Sequence, residues 1–96
     1  MEDRPRLYRF GVAWESRGKL AAESRAAEAK GYPHGVSTFD RSHRADATSA
    51  SRREVERHFR VLQTGRNHHH WTVVLPKPLT EDTAELFNRL FGRERP

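Results

Sequence analysis

Residues 68–75 read His-His-His-Trp-Thr-Val-Val-Leu and give the clearest indication of how this chain folds. As a strand, it sends alternate side chains to opposite faces of a sheet. Trp71, Val73 and Leu75 then build a core, while His68, His70 and Thr72 lie on the other face. Side chains two residues apart on a strand point the same way and can act on one ligand. The stretch therefore predicts a core face and an imidazole face.

The first half of the chain predicts a strand, a helix and a second strand. Residues 6–14 alternate, with an aromatic face that contains Tyr8 and Phe10 and with Arg9 pointing away from it. Ser16 as N-cap and Gly31 as stop bound a helix over 17–30. A short strand follows at 36–39. We expect a flexible polar loop at about 40–51, because residues 41–53 offer nothing larger than alanine to bury.

The segment from Ser51 to Gly65 supports two interpretations. Ser51 and Glu54 form a capping box, and three apolar residues at helical spacing favour a helix throughout: Val55, Phe59 and Leu62. The alternation that begins at Phe59, with a hairpin turn at 64–67, favours a strand instead. We predict a helix at 52–58 and then a strand at 59–64.

The closing element is a helix capped by Thr80, and its buried stripe contains Ala84, Phe87, Leu90 and Phe91. The predicted fold class is α+β, with a small three- to four-stranded sheet and two or three helices on one face. If residues 51–64 were wholly helical, three strand–helix repeats would result. At 96 residues, positions 1–96 are expected to form a single domain.

Arginine dominates the charge of the chain. Lysine and arginine number 18 against 13 acidic residues, a formal net charge of +5, and 15 of the 18 are arginine. A guanidinium group can contact a phosphate through two N–H groups and can stack on bases, so this composition suits nucleic acid. A GC-rich coding sequence would produce the same excess of arginine. Cysteine is absent, and no run is long enough to span a membrane. We expect a cytoplasmic protein, unless the chain is excised from a longer exported one.

The predicted solvent face of the sheet carries the candidate site. The candidate catalytic residues are His68, His70 and His58, and the candidate nucleic-acid-binding residues are Arg9, Arg41, Arg44, Arg52, Arg53, Arg60 and Arg66. Two imidazoles can serve as base and acid while an arginine holds a phosphodiester. RNA supplies its own 2′-hydroxyl nucleophile, so a ribonuclease of this kind needs no metal or cofactor, and none is predicted. In size, charge and arrangement the chain is similar to compact bacterial ribonuclease toxins, without a diagnostic motif.

Other interpretations of the same residues stay open. The histidine triplet is also typical of a solvated strand start, and His68 with His70 would supply two zinc ligands where a stable site needs three or four. A basic face can bind RNA, DNA or another polyanion without catalysis. A regulatory protein could instead meet a partner or a second copy through its sheet edge or through its last helix.

Overall fold

The computed structural model describes residues 5–42 and 44–96. In chain order the elements are β1 (Arg6–Phe10), α1 (Arg17–Ala29), β2 (Gly35–Phe39), β3 (Ala47–Ser51), α2 (Arg52–Glu56), β4 (Arg60–Gln63), β5 (His70–Val74) and α3 (Glu81–Leu90). The strands form one antiparallel sheet in the order β3-β1-β2-β5-β4. The α+β class is confirmed, while the described residues form five strands where three or four were predicted.

The additional strand is β3, which occupies part of the segment predicted as a loop. It pairs along its whole length with β1, from Arg6 opposite Ser51 to Phe10 opposite Ala47. Ala50 is buried beside Leu7. The backbone hydrogen bonds that hold an edge strand to its neighbour do not depend on large side chains. Composition misled the prediction, because it records what a segment can bury and not whether a neighbouring strand is available to it.

The helices pack on one face of the sheet, where the core lies. Leu20 of α1, Val55 of α2 and Phe87 of α3 share one buried cluster with Val36 and Val73. Leu75 is buried as well, and Trp71 packs against the same cluster, so the predicted core face of residues 68–75 is confirmed. We call the opposite side of the sheet the open face.

The helix-then-strand interpretation of residues 51–64 is confirmed. The Ser51 hydroxyl accepts a hydrogen bond from the Glu54 amide at 3.4 Å and caps α2. The chain leaves the helix after Glu56, and β4 then pairs antiparallel with β5, with Val61 opposite Val73. A continuous helix would have left this edge of β5 without a backbone partner.

The orientation predicted for β1 is wrong. Leu7 and Arg9 lie on the helix-covered face and are buried, whereas Tyr8 and Phe10 lie on the open face. The strand also ends at Phe10, before Gly11, whose φ is +88°. Alternation separates the two sets of side chains correctly. It does not say which set faces the helices, and here a buried arginine takes the inner position.

Arg9 is accepted in the interior because carboxylates surround it. Its Nε lies 2.6 Å from Glu15 Oε2, and its Nη2 lies 2.6 Å from Glu23 Oε1. Burial lowers the pKa of Arg9, but the hydrogen bonds that it donates to Glu15 and Glu23, together with the charges of these two carboxylates, outweigh burial and raise it. Burial likewise raises the pKa of Glu15, and Arg9 and then Arg93 outweigh that effect and lower it.

The same ion pairs hold β2 beside β1. The two strands pair at Tyr8 and Phe39, and beyond that point side chains reach the backbone of Ser37. Its amide donates to Glu23 Oε2 at 2.9 Å, and its carbonyl accepts from Arg9 Nη1 at 2.8 Å. The buried cluster therefore fixes the position of Ser37, which lies on the open face.

Candidate nucleic-acid interface

Four rings form a continuous row across the open face. Phe10 stacks on Phe39 with centroids 5.3 Å apart and an interplanar angle of 13°. Phe39 meets His70 edge-on at 5.2 Å, and His70 meets Tyr32 at 5.9 Å. We call these four residues the aromatic row. Phe10 is 37% exposed, so one end of the row is partly accessible to solvent.

A guanidinium group lies over the exposed end of the row. Arg44 Cζ is 4.7 Å from the centroid of the Phe10 ring, and the same side chain pairs with Asp46 at 2.7 Å. At the neighbouring edge, Arg6 Nη2 donates to Ser49 Oγ at 2.8 Å. These contacts hold two exposed arginines against the rim of the open face.

The other predicted arginines are distributed over several surfaces. Arg60 is exposed on β4, Arg66 in the turn before β5 and Arg53 on α2. Arg52 stacks over Trp71 at 4.4 Å and pairs with Glu56 at 3.3 Å. Arg41 is exposed and contacts His69. Arg9 is buried on the opposite face, so its predicted contact with nucleic acid is wrong: the buried carboxylates already occupy its guanidinium.

His70 has a fixed ring orientation on the open face. Its Nδ1 lies 3.1 Å from the carbonyl oxygen of Thr64 and 2.9 Å from the Thr64 hydroxyl. Its Nε2 lies 2.9 Å from Ser37 Oγ. A carbonyl oxygen can only accept, so the contact with Thr64 favours the tautomer in which Nδ1 carries the proton. Nε2 then accepts the proton of the Ser37 hydroxyl.

A small cleft adjoins this pair through Ser37, which lines it, whereas His70 does not. It measures about 90 Å³, and its lining includes Lys30, Tyr32, Ser37, Thr72 and Glu23. Thr72 is buried, and its hydroxyl lies 2.7 Å from that of Thr64. The cleft thus joins hydroxyls and one lysine to the edge of the aromatic row.

The three predicted catalytic histidines do not meet in one place. His70 begins β5, whereas His58 lines a separate cleft beside Val74 and Pro76, at the other end of that strand. Four strand residues span about 13 Å. His68 is exposed in the turn that precedes β5. Of the three, His70 is the one that the fold holds within the polar network of the open face.

His69, which the alternation of residues 68–75 does not group with His68 and His70, makes several side-chain contacts. Its Nδ1 donates to Asp40 Oδ1 at 2.7 Å, while Arg41 donates to its Nε2. Asp40 also accepts from Trp71 Nε1 at 3.0 Å. Burial raises the pKa of Asp40, but the hydrogen bonds from Trp71 and His69 lower it further than burial raises it. This cluster ties β2 to the start of β5.

Sequence reasoning missed the participation of Tyr8, Phe10, Tyr32 and Ser37 in this surface. The sequence predicts Arg9 on the solvent face of the sheet and the aromatic side chains of β1 on the other face. The sequence does contain Glu15 and Glu23, whose carboxylates can neutralise an arginine that is buried at position 9.

Within residues 5–42 and 44–96, no group of three or more His, Cys, Asp or Glu side chains is arranged to hold a metal ion. Among the described helices, none has the length and apolar character needed to cross a bilayer. The chain matches none of the family models, curated proteins or solved structures with which it was compared.

Proposed function

We propose that the open face of this protein binds single-stranded nucleic acid, with RNA favoured, by stacking bases on the aromatic row. The observation that carries the proposal is the partly exposed Phe10 ring, which stacks on Phe39 and is covered by the exposed Arg44 side chain. A stacking base would displace the Arg44 guanidinium, which would then be free to contact a phosphate. Base–aromatic stacking contributes about 1–3 kcal/mol per base and tolerates any sequence. An antiparallel sheet that presents several rings on its open side suits splayed bases.

Charge supports the same interpretation. The net charge of +5 favours a polyanion over a neutral partner. Arg6, Arg44 and Arg60 lie on strands or loops that border the open face, and each is exposed. They would contact the phosphates while the rings contact the bases. Single strands are favoured over duplex because a duplex keeps its bases stacked inside the helix and withholds them from the rings.

A fluorescence anisotropy titration tests the proposal. A labelled single-stranded RNA and the matching duplex are titrated with the purified protein at several salt concentrations. We expect the single strand to bind more tightly, and its affinity to fall as salt rises. Phe10→Leu keeps the apolar character and removes the π-face, so it should weaken binding about tenfold, equivalent to about 1.4 kcal/mol of lost stacking.

Val12→Ala is the matched control, because Val12 is 63% exposed in the loop after β1 and takes no part in the aromatic row. It should leave the affinity unchanged. If Phe10→Leu and the parent bind equally well, stacking is not the basis of recognition. If neither nucleic acid binds and sedimentation instead shows concentration-dependent association, the face serves protein contacts or a homodimer and the proposal fails.

A further inference from the structure

We infer that the open face also cleaves the RNA that it binds, by transesterification at the cleft beside His70, with His70 as the general base. This inference rests on the proposed function and adds a reaction to it. It keeps one of the histidines that the sequence indicated, and water takes the place of the expected second imidazole as the acid, while a hydroxyl and a lysine contact the phosphate. Three features of the site carry it.

The first feature is the orientation of the imidazole. The Thr64 carbonyl oxygen, 3.1 Å from Nδ1, favours a proton on that nitrogen and leaves the lone pair of Nε2 directed at Ser37 Oγ, 2.9 Å away. A general base needs a lone pair within hydrogen-bond reach of the proton that it takes. A carbonyl that orients the base performs the role of the third member of a catalytic triad. Nε2 is thus already engaged with a hydroxyl proton.

The second feature is that a ring for a base lies beside the same imidazole. Phe39 contacts His70 edge-on at 5.2 Å, and Tyr32 contacts it at 5.9 Å. Phe39 is already stacked on Phe10, so the base would stack on Tyr32, which would bring its ribose close to Nε2. Its 2′-hydroxyl could then take the place that Ser37 Oγ occupies as hydrogen-bond donor.

The third feature is the composition of the cleft. Lys30 and Ser37 line it and offer one positive charge and one hydroxyl to a phosphate group, whereas the hydroxyl of Thr72, which also lines it, is buried against that of Thr64. Glu23 lines it as well, but its carboxylate is engaged by the Arg9 guanidinium at 2.6 Å and by the Ser37 amide at 2.9 Å. The negative charge of Glu23 is therefore compensated from within the protein. Positively charged and hydroxyl donors of this kind stabilise the charge that develops on a phosphoryl oxygen.

The reaction balances without an added reagent. His70 Nε2 takes the proton of the ribose 2′-hydroxyl, and the 2′-oxygen forms a bond to phosphorus. The bond from phosphorus to the 5′-oxygen breaks, and that oxygen takes a proton from water at the open mouth of the cleft. The products are a 2′,3′-cyclic phosphate and a 5′-hydroxyl. His70 then releases its proton to solvent.

The test uses a labelled single-stranded RNA in EDTA, with mass spectrometry of the products. We expect fragments that end in a 2′,3′-cyclic phosphate. His70→Phe keeps a ring in the aromatic row and removes the base, so it should bind RNA within about twofold of the parent and cleave it slower by a factor on the order of 10² to 10⁴. His58→Phe is the matched control at the other end of β5 and should cleave normally.

A second pair of variants tests the phosphate contact. Lys30→Gln should slow cleavage, whereas Lys19→Gln, exposed earlier on the same helix, should not. Cleavage at a position whose ribose lacks the 2′-hydroxyl would contradict the inference, since the nucleophile would then have to come from the protein. RNA binding without cleavage would refute the inference and leave the proposed function intact; absence of binding would refute both.

Discussion

Arg9 Nε lies 2.6 Å from Glu15 Oε2, and each of the two side chains is 7% exposed. This ion pair sets the orientation of β1. With Arg9 held on the helix-covered side, Tyr8 and Phe10 must lie on the open face, because alternate side chains of a strand point in opposite directions. The aromatic row thus depends on a buried charge on the other side of the same strand.

Replacing Arg9 tests that dependence. Arg9→Ala leaves the Glu15 and Glu23 carboxylates without their principal partner, and removing one member of a buried pair typically costs about 3–5 kcal/mol. We expect the free energy of unfolding in urea to fall by that amount. Arg25→Ala, on the exposed side of α1, should change it by less than about 0.5 kcal/mol. Equal effects of the two variants would contradict a stabilising role for the buried pair.

The acid sensitivity of the fold follows from Glu15. Its pKa is lowered in the folded protein below the ordinary value of 4.5, so the folded state binds this proton less readily than the unfolded state does. The resulting stabilisation is fully present well above pH 4.5 and is lost as the pH falls through the lowered pKa. We expect the free energy of unfolding to decrease in that range.

A glutamine variant separates Glu15 from the other carboxylates. Glu15→Gln should be less stable than the parent at pH 7 and should lose less stability on acidification. The measurement is urea unfolding at a series of pH values. Parallel pH profiles for the parent and the variant would show that Glu15 does not contribute the predicted dependence.

Two glycines should respond to alanine in opposite directions. A Cβ at Gly35 would collide with the carbonyl oxygen of Val73, whereas a Cβ at Gly18 in α1 would meet nothing within 4 Å. We expect Gly18→Ala to raise the free energy of unfolding by about 0.5–1 kcal/mol through helix propensity. Gly35→Ala should lower it by about 1–3 kcal/mol through overpacking. If both variants stabilise the protein, the close approach of β2 and β5 at Gly35 is wrong.

The edge strand β3 should be visible in hydrogen exchange. At the two ends of its pairing with β1, the Gly11 amide donates to the Asp46 carbonyl and the Arg52 amide donates to the Pro5 carbonyl. In this register the Thr48 and Ala50 amides point toward β1. The Ser49 amide then points away from the sheet. We expect slow exchange at Thr48 and Ala50 and faster exchange at Ser49. Uniformly fast exchange across 47–51 would support the loop that composition predicts.

The extent to which the fold follows from the sequence depends on how local the signals are. Capping and spacing identified α1, the break between α2 and β4, and the helix that follows Thr80, since these depend on neighbouring residues. β3 was missed because its pairing with β1 lies about 40 residues away in sequence. The direction of β1 was missed because the partners of Arg9 lie on a loop and a helix beyond the strand.

The candidate site could be predicted only in part, for the same reason. His70 followed from the alternation of residues 68–75, which also determined the side of the sheet on which it lies. Its partner Ser37 lies 33 residues away in sequence, and the pairing of β2 with β5 brings the two together. The predicted imidazole pair did not form, because His68 precedes β5 in a turn and His58 lies at its far end.

Photocrosslinking of a single-stranded RNA that carries 4-thiouridine, followed by mass spectrometry of the linked peptides, would show whether RNA lies on the aromatic row. We expect crosslinks to Phe10, Phe39 and Tyr32, lost on competition with unlabelled RNA. Trp14, whose ring contacts Arg89 and Arg95 and which is not part of the aromatic row, serves as the internal reference. Crosslinks concentrated at Trp14 or on α2, with none on the aromatic row, would contradict the account.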